Sequence, residues 1–182
     1  NIKIPGIHQI KNALLAFGIL NKLNEVLPVT LNDIKKGFAS TRWPGRMEII
    51  NKKPLVLLDG AHNEESVQKL VEVLKNHIPD SRKITIILSI LKDKNITQIL
   101  KLLNFRKENY EIIITKNKNI RVQEPEKIKK IADEIGLKNS ICENIENSLS
   151  YIKNCPLEEV IVITGSLYTV SEVKKNTEKI FN

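Results

Sequence analysis

At 182 residues, with 41% hydrophobic and 27% charged side chains, the chain has the makeup of an ordinary globular protein able to bury a proper core. No run approaches the ~18 consecutive apolar residues of a membrane span, and Cys142 and Cys155, without a CxxC pair or a histidine cluster, argue against a disulfide scaffold or a zinc site and fit a reducing cytoplasm. The net charge of +8 is mostly scattered lysine, with no aromatic residue in a basic stripe, which argues against nucleic acid and leaves a solvated surface or an attraction for polyanionic small molecules.

From the amino end, Pro5-Gly6 marks a turn, and residues 8–23 read as a helix carrying Ala13, Leu14, Ala16, Phe17 and Leu20. Pro28 ends the link to a second helix over 31–38, for which Thr30 is the candidate N-cap. No strand separates these helices, whereas strand and helix alternate after Arg46. A domain boundary is therefore expected near Ser40, with residues 1–40 as the tail of a preceding domain and 41–182 as the next one. With no initiator Met at Asn1, the chain is expected to be a piece of a longer protein.

Strands are expected over 47–50 and 55–58, joined only by residues 51–54. A link that short cannot hold a crossover helix, so the two should pair antiparallel. A helix over 65–77 follows, with Val67, Leu70, Val71, Leu74 and Ile78 on one face. The nearly continuous apolar run 84–90 has the pattern of a parallel strand covered on both faces. Then come a helix over 95–103, a strand over 111–115, and a helix over 124–135 with Pro125 in its first turn and Gly136 as its stop. A weak strand near 140–143, a short helix over 148–153, a strand over 159–164 and a last helix over 170–181 complete the chain. The sum is an α/β, Rossmann-like, doubly wound sheet of six strands, mostly parallel with one antiparallel strand, preceded by two helices.

The chemistry gathers at strand ends, where open α/β sheets place ligands. Asp59 stands at the mouth of a strand, where it can accept from a ribose hydroxyl or cap the next helix. His62, on the same turn, can hold a carboxylate or satisfy loop backbone; His77, at a helix end before Pro79, reads as structural. Arg46 follows Trp43-Pro44-Gly45, a context that pre-sets its backbone for clamping phosphate oxygens, the alternative being a surface ion pair. Thr164-Gly165-Ser166 closes the last strand, where Gly165 would let a ligand approach and Ser166 offers a hydroxyl. Asp93-Lys94 follows the 84–90 strand at the same edge. Neither GxxxxGK[ST] nor GxGxxG is present, so the domain could bind one side of a nucleotide without an ordinary phosphate cradle.

Trp43-Pro44-Gly45-Arg46, Asp59-Gly60-Ala61-His62-Asn63 and Thr164-Gly165-Ser166-Leu167-Tyr168 together resemble the folylpolyglutamate synthases, often bifunctional with dihydrofolate synthase, of the Mur ligase superfamily. His8-Gln9 with Asn12-Ala13 looks like that family's HQxxNA helix, which closes its central ATPase domain. The resemblance covers essentially the whole chain, with departures at Glu64 for Pro, Asn95 for Asp and Ser171 for Gly. It implies a cytoplasmic, monomeric, ATP- and magnesium-dependent amide ligase. A folate or dihydropteroate carboxylate becomes an acyl phosphate, which the amine of L-glutamate attacks. It further implies Asn12 toward the adenine, Arg46 toward the phosphates and Asp59 toward the ribose. His62 and Ser166 would hold the glutamate, His62 as the catalytic candidate, with Lys94 as a further glutamate contact. The phosphate loop, the magnesium ligands and the folate cleft would lie in the amino-terminal ATPase domain, so the chain alone is expected to be inactive. Two other readings remain: another Mur-type amino-acid ligase, or a non-catalytic Rossmann-like nucleotide-binding module.

Overall fold

The computed structural model describes residue 2 and residues 4–181, with side chains through residue 176. The chain divides into two compact units, Asn1–Pro44 and Gly45–Asn182.

The first unit holds α1 (Ile7–Leu23) and α2 (Leu31–Ser40). Thr30 caps α2 as its sequence suggests: its hydroxyl accepts from the Asp33 N–H, and the Asp33 carboxylate accepts in return from the Thr30 N–H, each at 3.1 Å.

The second unit is a six-stranded sheet: β1 (Glu48–Lys52), β2 (Leu55–Leu58), β3 (Ile84–Leu88), β4 (Tyr110–Ile114), β5 (Asn139–Ile141) and β6 (Val160–Thr164), in the spatial order β1-β2-β6-β3-β4-β5. Among these six described strands, β1 runs antiparallel to β2 and the remaining pairs are parallel. The helices are α3 (Glu64–His77), α4 (Ile96–Leu103), α5 (Pro125–Glu134), α6 (Ile145–Asn154) and α7 (Leu167–Phe181). Parity along the strands sorts the core into two layers. Ile84, Ile86 and Leu88 of β3, with Val160 and Val162 of β6, pack with Leu70 and Leu74 of α3, Leu100 of α4 and Ile128 of α5. Ile87, Ile161 and Ile163 face the other way, onto Ile145 and Leu149 of α6 and Val170 and Val173 of α7. A parallel sheet buried on both faces reads as a continuous apolar run, which is why its strands were legible.

Several limits differ from the sequence expectations. The 84–90 strand stops at Leu88, because Ser89 leaves the ladder for a turn with a polar network of its own. The helix expected over 148–153 begins at Ile145, capped by the Asn144 side chain at 2.8 Å from the Asn147 N–H. The last helix begins at Leu167 rather than Val170, with the Ser166 hydroxyl accepting from the Thr169 N–H. Met47 is not in β1: it has φ 46 and belongs to the turn before it. Among the described residues, no helix is long and apolar enough to cross a membrane.

Candidate functional site

Because β2, β6, β3 and β4 are mutually parallel, their carboxyl ends open on one edge of the sheet, and the loops that follow them lie side by side there. Hydrogen bonds stitch these loops together. The Gly165 N–H and the Thr164 hydroxyl both donate to Ala61 O, at 3.0 and 3.3 Å, and the Ser89 N–H donates to Thr164 O at 3.2 Å.

Asp59 follows directly on β2, its N–H donating to Ile163 O of β6 at 3.0 Å. Its buried carboxylate accepts from the Met47 N–H through Oδ2 and from the Ala61 N–H through Oδ1, both at 2.9 Å. The helix-capping alternative does not hold. Asn63 caps α3, its Oδ1 accepting from the Ser66 N–H at 2.9 Å while Ser66 Oγ accepts from the Asn63 N–H at 3.1 Å. Asp59 instead fastens the loop after β2 to the turn that carries Arg46.

That turn is fixed from three further sides. The Gly45 N–H donates to Glu48 Oε2 at 2.7 Å, Lys174 of α7 pairs with Glu48 Oε1 at 2.7 Å, and the Gly60 N–H donates to Gly45 O at 2.8 Å. Gly45, at φ +71, also lies so close to Val170 that an added Cβ would stand 2.8 Å from its side chain. Arg46 is half-buried on this clamped segment, and among the described residues its guanidinium makes no hydrogen bond or ion pair. The surface ion-pair alternative therefore has no partner here.

His62 is half-buried with its Nδ1 at 2.8 Å from Gly60 O. A carbonyl only accepts, so Nδ1 carries the proton and Nε2 is left to accept from an incoming group or, once protonated, to donate to it. His77, by contrast, spends Nδ1 on Val73 O at 2.9 Å, a structural bond closing the end of α3.

Lys94 and Asp93 pair with each other at 2.7 Å, and that ammonium holds the Asp93 carboxyl below the usual range. Ser166 is 2% exposed. Its Oγ accepts from the Thr169 N–H at 3.0 Å and from Asn117 Nδ2 at 3.2 Å, and lies 2.8 Å from Thr169 Oγ1. Its hydroxyl is thus committed to capping α7. Gly165, at φ +108, does allow a close approach, but of protein: an added Cβ would fall 2.4 Å from Ser89 O. No ligand is needed to explain that glycine.

Asp59, Arg46, His62, Ser166 and Lys94 thus all stand on the second unit, after or beside its strand ends. Asn12 stands on α1 of the first unit, exposed, with Nδ2 donating to Gln9 Oε1 at 3.1 Å. Glu48, Ser89, Asn117 and Thr169 escaped the sequence reading. A signal existed for the middle two: each is a polar residue just past an apolar strand, in the same place as Ser166 after β6.

A cleft of about 420 Å³ lined by Pro79, Arg82, Lys83, Pro156 and Glu159 opens elsewhere. It lies at the amino ends of β3 and β6, the edge away from these loops, and shares no residue with them. Among the described residues, no group of three or more His, Cys, Asp or Glu side chains could hold a metal ion.

Residues 45–167 match the family model described as Mur ligase, glutamate ligase domain. The chain is 33% identical over 175 residues to the dihydrofolate synthase/folylpolyglutamate synthase of Bacillus subtilis (strain 168), covering 93% of this chain and 39% of that protein. Against the folylpolyglutamate synthase of Lacticaseibacillus casei it is 33% identical over 177 residues, covering 96% of this chain and 39% of the other. Among solved structures, Mycobacterium tuberculosis folylpolyglutamate synthase complexed with ADP superposes with a TM-score of 0.81 at 25% identity, over 97% of this chain and 41% of that one. The chain therefore spans about two fifths of the length of the curated relatives it matches. With the family model covering well over half its residues, and the doubly wound sheet shared as well, the chain belongs to the Mur ligase family through its glutamate ligase domain.

Proposed function

We propose that this chain is the carboxyl-terminal part of an ATP-dependent ligase that joins L-glutamate to a folate, with dihydropteroate as an acceptor of the same chemistry. The observation that carries this is the half-buried Arg46 guanidinium. It has no side-chain partner among the described residues, on a turn that Asp59 and Glu48 clamp at the carboxyl edge of the sheet. A fixed guanidinium fork without a protein carboxylate is suited to phosphate oxygens.

ATP, when bound, supplies the phosphoryl group that activates the folate carboxylate. Arg46 would hold phosphate oxygens. Asp59 would keep the Arg46 turn in place and is the candidate partner for a ribose hydroxyl. Asn12 is the candidate contact for the adenine. His62, through Nε2, would hold the incoming glutamate and guide its amine to the activated carbonyl, where positioning supplies most of the rate. Lys94 can exchange its exposed Asp93 partner for a substrate carboxylate, since such surface pairs contribute little. Ser166 would act on the same glutamate chiefly by holding the turn after β6. Residues 1–40 fit as the helical end of the central ATPase domain. The magnesium ligands, the phosphate loop and the folate cleft are assigned to that domain, in a monomeric cytoplasmic enzyme.

The test is phosphate release by the full-length protein with ATP, L-glutamate and a folate acceptor each omitted in turn. Release is expected only when all three are present. Release that ignores L-glutamate, or that needs a peptidoglycan precursor in place of the folate, would overturn the reading in favour of another Mur-type ligase.

A further inference from the structure

Ser89, Asn117, Ser166 and Thr169 are each at most 4% exposed, and they sit in the loops after β3, β4 and β6 and in the first turn of α7. Asn117 is their hub. Its Nδ2 lies 3.2 Å from Ser89 Oγ, 3.2 Å from Ser166 Oγ and 3.0 Å from Thr169 Oγ1. Its backbone N–H donates to Ser89 Oγ at 3.1 Å, and its Oδ1 accepts from the Asn119 N–H at 2.9 Å. The Thr169 hydroxyl then donates to Ser89 O at 3.3 Å. Every polar atom of the Asn117 side chain is used, in a dry environment where an unpaired group is costly.

The network continues toward His62. Ser89 is bonded to Thr164, and Thr164 and Gly165 both donate to Ala61 O, one residue before His62. Four strand ends thus share one hydrogen-bonded rail, with Asn117 as the member that touches two of the other loops directly. Ser166, already saturated, cannot meet a ligand without first giving up one of these bonds.

We propose that Asn117 is a positioning residue of the amino-acid site. Through Ser166 and Ser89 it sets the turn after β6, and through Thr164 and Gly165 it sets the loop that carries His62. The proposal rests on the reading of the protein as a glutamate ligase. Misplacing groups by a fraction of an ångström in such a site costs binding and rate even where the chemistry is untouched. The hydrogen bonds of the rail reach the loop of Asp59 at Ala61, and α7 adds the packing of Val170 on Gly45, whereas Asp59 and the Arg46 turn are held directly through Met47, Gly45 and Glu48. The amino acid should therefore feel the loss of Asn117 before ATP does.

The test uses the full-length protein and steady-state kinetics with each substrate varied. Asn117→Ala should raise KM for L-glutamate roughly tenfold, the scale of one buried hydrogen bond, and leave KM for ATP within about twofold. Thr169→Val keeps the side-chain shape, removes the hydroxyl that meets Asn117, Ser166 and Ser89 O, and should raise the same KM by roughly threefold. A merely structural role would lower kcat through a smaller active fraction and leave both KM values alone. That outcome in a cooperatively folded Asn117→Ala overturns the proposal. If that variant does not fold, an unchanged glutamate KM in Thr169→Val overturns it instead. A wild-type protein that is active with an unchanged glutamate KM in the variants sinks the positioning role alone. A wild-type protein with no glutamate-dependent turnover sinks both this proposal and the ligase reading.

Discussion

Asp59 and His62 share one turn yet present different chemistry. The carboxylate of Asp59 faces the backbone of the Arg46 turn, whereas His62 fixes its ring on Gly60 O and leaves Nε2 for a ligand. In the full-length protein, Asp59→Ala should weaken ATP mainly and His62→Ala should weaken L-glutamate mainly. Each loss should be about tenfold to a hundredfold, as for one charge-assisted hydrogen bond. Steady-state kinetics that raise the same Michaelis constant in both variants would reject this division. Tyr110 poses a residue-scale question of a different kind. Its hydroxyl is buried without a partner among the described residues, its ring meets Phe105 edge-on at 5.1 Å, and burial pushes its pKa far up. A buried unsatisfied hydroxyl costs free energy that phenylalanine does not. Tyr110→Phe should therefore stabilise the fold by about 1 kcal/mol, read from the urea midpoint. A loss of stability would reveal a partner that the hydroxyl does have.

At the scale of elements, α3 shows how local signals and packing cooperate. Asn63 and Ser66 satisfy each other's backbone N–H groups, Glu64 and Glu65 sit at the positive end of the helix, and Lys75 and His77 sit at its negative end. One stripe, Val67, Leu70, Val71 and Leu74, is buried against the sheet. Asn63→Ala removes the cap without touching that stripe, and should cost roughly 0.5–2 kcal/mol in chemical denaturation with the slope unchanged. The β1–β2 hairpin is the other local device. Its short link forces antiparallel pairing, and the register slips between Ile49 and Asn51, so a bulge lies where β1 leaves the clamped turn.

Across the whole molecule, the two edges of the sheet do different work. The carboxyl edge carries the candidate site, while the amino edge carries an ionic cluster. There Lys83 Nζ lies 2.5 Å from Glu111 and 3.3 Å from Glu159, and the Tyr151 hydroxyl and Thr85 close the group. Burial pulls the Lys83 ammonium down, but Glu111, Tyr151 and Glu159 outweigh it and hold its pKa above the ordinary lysine value. Burial likewise pushes Glu111 up, and Lys83 more than reverses this, leaving Glu111 below the ordinary glutamate value. The depressed carboxyl contributes stability that is present above its unfolded value of about 4.3 and is lost as pH falls through the folded value below it. The raised ammonium contributes stability that is present below about 10.4 and is lost only as pH rises through its higher folded value. Unfolding measured against pH should therefore show a stable span between these limits. Lys83→Met should lower it by about 1–3 kcal/mol near neutrality, because Glu159, its side chain only 1% exposed, loses its counter-ion. The same variant should flatten the acid limb. An acid limb as steep as the wild type's would mean that Lys83 does not set the Glu111 titration.

The sequence by itself determined the order of elements, the antiparallel first pair and the two-faced burial of the sheet. Each rests on short-range facts: apolar runs too continuous for an exposed face, a link too short for a helix, and caps such as Thr30. It also placed Arg46, Asp59 and His62, because a polar cluster after a buried strand has few other places to go than the carboxyl edge. Only the tertiary structure decided what each of them touches. The Asp59 carboxylate, a candidate cap for the next helix, instead holds the Met47 N–H, which approaches only because β1 pairs beside β2. Gly165 looked like room for a ligand until Ser89, on the neighbouring β3 loop, proved to fill it. Asn117 carried only the mark of a polar residue shortly after an apolar strand, which named no partner. Its role comes from strand order, which sets β6 beside β3 and β3 beside β4 and so brings together side chains 28 and 49 residues apart in the chain. Contacts between distant segments are chosen by which strands become neighbours, and no periodicity within one segment encodes that choice.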